Sequence, residues 1–221
     1  MIPIICIVGR SQAGKTTVIE RVIPELVQRG YEVAAIKHTH KHFEMDHQGT
    51  DTTRLKNAGA REVVISSAHE VGLVASVSHD LSLDELAARY VPRADLIVAE
   101  GFKGDRHPKI EVFRHTVHES PLAPGLDNLL AVMSDVPLSL NYPSLSLDDV
   151  VGLANLIQAR ILSQRGETDV TLWVNGRLVP LNVFPESLIV NTLKGMVRSL
   201  EGCESPEEIE IRIQSNKRRL A

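Results

Sequence analysis

Aromatic residues make up only 4% of this 221-residue chain, with a single tryptophan, so its core has to be assembled from Val, Ile, Leu and Ala. Two cysteines, Cys6 and Cys203, are too few for a disulfide framework. No apolar run approaches the roughly 20 residues that a spanning helix needs. The opening stretch MIPIICIVGR lacks a basic n-region and reaches Gly9 too soon to be a secretory signal. Strong charge of one sign is missing as well. Lys+Arg total 24 against 28 Asp+Glu, a net charge of −4, which argues against a general nucleic-acid binder. There is no internal repeat and no low-complexity stretch. What is present, 43% hydrophobic and 24% charged residues, is ordinary for a globular protein of one or two domains. These bounds predict a soluble, reduced, cytoplasmic protein with no membrane or nucleic-acid partner.

Short apolar runs alternate with amphipathic segments over the first 165 residues. Ile4 to Val8 is continuously apolar, as expected of a strand buried on both faces. From Gly14 to Arg29, Val18, Val22, Ile23, Leu26 and Val27 recur at helical spacing, with Gly30 as the stop. Pro24 inside that pattern is expected to kink the helix or remove one backbone bond. Further strands are expected at Glu32–Lys37, Glu62–Ser66, Val71–Val77, Asp95–Ala99 and Leu129–Met133. Lys109–Arg114 alternates in polarity and is expected at a sheet edge. Helices are expected at Asp51–Asn57, after a capping box formed by Ser82 and Glu85, and at Asp148–Gln164. The alternation predicts an α/β domain, 1–165, with a mostly parallel sheet covered by helices. Past a polar joint at 164–167 lie two strand-like runs around Asn175-Gly176, a strong hairpin signal. A helix over Pro185–Leu200 and an alternating strand over Ile209–Ile213 complete a small ββαβ module, 166–221, containing Trp173. No chemistry is assigned to it.

Gly9-Arg10-Ser11-Gln12-Ala13-Gly14-Lys15-Thr16 fits the phosphate-loop pattern G-x-x-x-x-G-K-[ST] in full, after a buried strand and at the start of a helix. The glycines let successive amides point inward, and the helix N-terminus adds positive potential. Lys15 is expected on the β- and γ-phosphates, the Thr16 hydroxyl on Mg²⁺, and Thr17 on the α-phosphate. Such a site also needs an acidic group near the metal. Glu100, just past the apolar run Leu96–Ala99, is placed for a metal or water role.

The stretch from Lys37 to Thr52 holds four of the nine histidines. It admits three readings. Asp46 contacts Mg²⁺ or nucleotide while the histidines take an anionic ligand; or His38, His40, His42 and His47 bind a transition metal, as in a metallochaperone-type GTPase; or this is a solvated loop before a helix cap. Asp135, at the end of the strand through Met133, stands where a guanine-reading carboxylate would. A small-molecule kinase would require an arginine-rich lid, and no such segment is seen.

Together, Gly9–Thr17, Lys37-His38-Thr39-His40 with Phe43, Asp46, Gly49 and Asp51, Ala58-Gly59-Ala60, Ala99-Glu100-Gly101-Phe102-Lys103 and Pro108–Val112 resemble the MobB family, the GTP-binding adapters of molybdopterin-guanine dinucleotide biosynthesis. The likeness covers about residues 1–140. Two local patterns differ: His40-Lys41 replaces a His-His pair, and Gly49-Thr50-Asp51-Thr52 a Gly-Lys-Asp-Ser. The resemblance implies a P-loop NTPase fold of the signal-recognition/MinD-like class, GTP and Mg²⁺ as ligands, weak GTPase activity and a homodimer. It also implies a MobA-like nucleotidyltransferase as partner and molybdopterin or molybdenum cofactor as a further ligand. On it, Gly9–Thr17 hold the nucleotide and Asp46 and Glu100 lie near the metal. Lys37, His38, His40 and Lys103 face a pterin phosphate. The preference for GTP over ATP follows mainly from the resemblance.

Overall fold

The computed structural model describes residues 2–39, 49–91, 93–164, 170, 172–174, 177–179, 181–206, 208–211 and 213. The chain divides into two compact units, Ile2–Arg165 and Gly166–Ala221. In chain order, the strands of the first are β1 (Ile4–Val8), β2 (Val33–Lys37), β3 (Glu62–Ser66), β4 (Val71–Ala75), β5 (Leu96–Glu100), β6 (Lys109–Phe113), β7 (Leu129–Ser134) and β8 (Ser144–Ser146). Its helices are α1 (Lys15–Gln28), α2 (Asp51–Asn57), α3 (Leu83–Tyr90) and α4 (Val150–Arg160).

Six strands form one sheet in the order β2-β5-β1-β6-β7-β8, every neighbouring pair parallel. Side chains alternate across a strand, so β1 sends Ile5 and Ile7 to one face and Ile4, Cys6 and Val8 to the other. The first face packs on α1 and α4 through Val18, Val22, Leu26, Leu153 and Ile157. The second packs on Leu83 and Ala87 of α3. Each fully buried Val, Leu or Ile at these contacts contributes roughly 1.5–3 kcal/mol. Arg29 ties the two helices of the first face, donating to Asn155 Oδ1 at 2.9 Å and Gln158 Oε1 at 3.1 Å. The helix α1 runs on through Pro24, which lies on its exposed side. The expected capping box at Ser82 and Glu85 is present.

β6 departs from expectation. Its alternating polarity suggests an edge, yet it sits between β1 and β7 with all five residues buried. Its polar members are largely, not fully, met by the flanking loops. Lys109 Nζ donates to the carbonyl oxygens of Asp105, His107 and Asp127, and one Glu111 oxygen accepts from the Leu122 amide. β3 and β4 also depart. They pair antiparallel with each other, apart from the main sheet. Only residues 67–70 join them, far too few for the crossover a parallel pair requires. The three-residue β8 carries too little pattern to read from sequence.

In the second unit, β9 (Leu172–Val174) and β10 (Arg177–Val179) pair antiparallel, and α5 spans Val183–Arg198. The Asn175-Gly176 turn lies outside the described residues. The strand expected at Ile209–Ile213 is absent at its described residues, and Ile213 is 89% exposed. An alternating segment becomes a strand only with a partner to pair with, and among the described residues β9 and β10 pair only with each other.

Candidate nucleotide-binding site

Parallel register brings the site together at the carboxyl edge of the sheet. Ile7 of β1 lies opposite Glu100 of β5, Lys37 of β2 opposite Glu100, and Phe113 of β6 opposite Ser134 of β7. Gly9 therefore leaves β1 between Glu100 on one side and Arg114 on the other. Residues 9–14 curl back to start α1 with positive φ at Gly9 (149°), Gln12 (64°) and Gly14 (95°). Gly9 is required on two counts: its φ, and the Val112 carbonyl oxygen, with which a Cβ there would collide. Ala13 is buried beneath the loop, while Arg10, Ser11 and Gln12 are exposed on it. No side chain caps α1, and its first turn holds no acidic residue, leaving its positive end open.

Lys15 Nζ bonds back to the carbonyl oxygens of Gly9 (3.2 Å) and Arg10 (2.8 Å). Burial holds its pKa below the usual lysine value; Glu100 opposes that shift and Lys37 adds to it. The Thr16 hydroxyl donates to Glu100 Oε2 at 2.9 Å, and Lys37 Nζ lies 3.2 Å from the same oxygen. Thr17 is exposed on the first turn of α1. This rim offers hard oxygen donors, Thr16 Oγ1 and Glu100, suited in kind to Mg²⁺.

The opposite rim is the turn after β6. His118 Nε2 lies 2.8 Å from the Ser11 carbonyl oxygen. Asp135 accepts from the His115 amide at 2.7 Å and the Thr116 hydroxyl at 3.4 Å. Its slight burial pushes the carboxyl up, but hydrogen bonds from the His115, Thr116 and Asp135 amides and the Thr116 hydroxyl outweigh this and hold it below the usual carboxylate range. The Arg114 guanidinium lies over Gly14, where an added Cβ would stand 3.2 Å from Nη2. On β6, Glu111 Oε2 is buried with no hydrogen-bond partner among the described residues. Burial pushes that carboxyl up, against lowering by the Leu122 and Ala123 amides and by Arg10.

The structure thus gathers Gly9–Thr17 and Glu100 at one place, with Asp135 on the far rim. Asp46, His40, His42 and His47 lie outside the described residues. His38 is placed, its Nε2 3.2 Å from Asp80 Oδ2 and its ring 5.0 Å from that of Phe102. Lys103 is exposed. Sequence reasoning missed Arg114 and His118. Arg114 directly follows a buried strand, as Glu100 follows an apolar run, but taking β6 for an edge concealed this; His118, further into the turn, carries no such signal.

The family model described as "Molybdopterin guanine dinucleotide synthesis protein B" matches residues 4–135, more than half of the chain. The molybdopterin-guanine dinucleotide biosynthesis adapter protein of Escherichia coli is 36% identical over 170 residues, 75% of this chain and 97% of that one. A putative adapter protein of the same biosynthesis from Methanocaldococcus jannaschii is 24% identical and spans 97% of this chain and 98% of its own, so its match extends into the second unit. The crystal structure of a MobB homolog from Bacillus stearothermophilus superposes with a TM-score of 0.56 at 28% identity, covering 71% of this chain and 99% of that one. The six-stranded parallel sheet, the loop at Gly9–Thr16 and these matches agree, and the chain belongs to the MobB family.

Proposed function

We propose that this protein binds GTP with Mg²⁺ on the Gly9–Thr17 loop and acts, as a homodimer, as an adapter for a MobA-like nucleotidyltransferase that joins a guanine nucleotide to molybdopterin. One observation carries the nucleotide reading. Lys15 rests on loop carbonyls at an uncapped helix end, next in the chain to Thr16 of the Thr16–Glu100 pair. A triphosphate would draw the ammonium off the Gly9 and Arg10 oxygens, exchanging weak acceptors for charged ones. The loop amides and the end of α1 add donors and positive potential. Thr16 and Glu100 would hold Mg²⁺, with Asp46 as a further proposed ligand. When bound, that ion offsets charge developing on the phosphates.

Hydrolysis is proposed to be slow. Glu100 Oε2 is already engaged by the Thr16 hydroxyl and the Lys37 ammonium, which leaves it poorly placed to take a proton from water. The adapter role is supported by family membership and by the adapter names of the relatives. Lys37, His38, His40 and Lys103 are proposed to meet a phosphate on the pterin ligand. Co-purification with the candidate nucleotidyltransferase, with and without GTP and molybdopterin, tests this role. Co-elution is expected, and Lys15→Ala should abolish any part of it that depends on GTP. Failure to co-elute under every condition would overturn the adapter role.

A further inference from the structure

We infer that Arg114 is a phosphate-gripping residue supplied from within the chain, closing the loop from the rim opposite the metal ligands. The inference rests on the nucleotide reading above and adds to it a residue outside the phosphate-loop motif. Arg114 follows β6 directly and is half-buried. Its guanidinium approaches the loop at Gly14 with Nη2 leading. From the position of a Gly14 Cβ, Nη2, Cζ and Nε stand at 3.2, 3.9 and 4.0 Å. Lys109 and Glu111 on the same strand are both tied to protein partners. Arg114, by contrast, has no ion-pair or hydrogen-bond partner for its guanidinium among the described residues.

Its surroundings make the missing counter-charge more telling. The loop already carries Lys15 and Arg10, and α1 presents an uncapped N-terminus there. A guanidinium beside an uncapped helix end, with no carboxylate partner among the described residues, gains most from an anion shared with that helix end. The turn that carries it is fastened at three points. His118 meets the Ser11 carbonyl, and Asp135 takes the His115 amide and the Thr116 hydroxyl. The backbone of that turn is therefore held in register with the loop before any ligand arrives, which lowers the ordering cost of binding.

Position selects which phosphates are gripped. Thr16 and Glu100 mark the rim where metal and terminal phosphate belong, and Arg114 stands across the loop from them. It therefore meets the part of the phosphate chain that GDP and GTP share. Asp135 becomes a positioning residue that holds the turn.

The test is titration of wild type, Arg114→Ala and Arg114→Lys with GTP, GDP and inorganic pyrophosphate, alongside the melting temperature of each nucleotide-free protein. Charge-assisted contacts of this kind correspond to a loss of roughly 10- to 100-fold in affinity. Arg114→Ala is expected to show that loss equally for all three ligands at an unchanged melting temperature, with Arg114→Lys recovering part of it. Wild-type affinity in Arg114→Ala overturns the inference while leaving the nucleotide reading intact. A loss confined to GTP, or one that spares pyrophosphate, overturns the assignment to the shared phosphates. Absence of nucleotide binding by the wild type removes the reading and the inference together.

Discussion

Gly9→Ala is the most direct perturbation of the loop backbone. Gly9 has φ 149°, and a Cβ there collides with the Val112 carbonyl oxygen. Strain from such a backbone region costs about 1–3 kcal/mol. The collision adds a further ~1–3 kcal/mol, because overpacking against a fixed group cannot relax freely. Val112 is fixed in this sense: it lies in β6, a fully buried strand paired on both sides, with β1 and with β7. The expected loss is therefore about 2–6 kcal/mol, a large share of the 5–15 kcal/mol typical of a domain. Gly30→Ala is the control. Gly30 has φ 90° with nothing within 4 Å of the added Cβ, so only strain, roughly 1–2 kcal/mol, applies. Urea denaturation of both variants beside wild type isolates the collision. If Gly9→Ala is destabilised no more than Gly30→Ala, the close packing of β1 on β6 is misread.

Glu111→Gln should change the pH dependence of stability. Burial raises the folded-state pKa of Glu111 above its ordinary 4.5, so its favourable contribution is full below pH 4.5 and is lost as pH rises through the folded value. Melting temperatures should therefore shift in favour of the glutamine variant between pH 4.5 and neutrality, and a pH-independent difference would contradict this. The two cysteines should differ in reactivity: Cys6 is fully buried with its thiol pushed up to about 12, chiefly by burial, whereas Cys203 is only half-buried. A thiol reagent should label the native protein once and the denatured protein twice; two rapid equivalents in the native state would refute the buried β1. Asp135→Ala should weaken GTP and ATP analogues equally, by loosening the turn that carries Arg114, whereas a loss confined to guanine nucleotides in competition binding would mark Asp135 as a base contact.

The legible parts of the fold were those where one physical signal dominated. β1 and β5 read clearly because strands covered on both faces are continuously apolar. α3 reads clearly because Ser82 announces its cap; for α2 the sequence allows Thr50 or Asp51 as the cap, and Thr50 is the one that accepts from the Thr53 amide. β6 reads as an edge because Lys109 and Glu111 imitate the polar face of an edge strand, and the groups that meet them, from Asp105 and His107 before the strand to Leu122 and Asp127 after it, lie in the flanking loops. β3 and β4 are legible as strands, and the shortness of residues 67–70 also encodes their antiparallel pairing. In the site, the loop motif carries its own spacing and could be found directly, and Glu100 followed from its place after an apolar run. Arg114 and His118 reach the loop only through the parallel register of β1 and β6, which local pattern does not encode. At Ile209–Ile213 the alternation is real, but no partner strand accompanies it among the described residues.

Calorimetric titration of the wild type with GTP and ATP analogues in the presence of Mg²⁺, repeated with Lys15→Ala, tests the central claim most directly. Saturable binding of one guanine nucleotide per chain, weaker binding of the adenine analogue and loss of both in Lys15→Ala are predicted. Undiminished binding by Lys15→Ala, or no binding of either nucleotide by the wild type, would contradict the account.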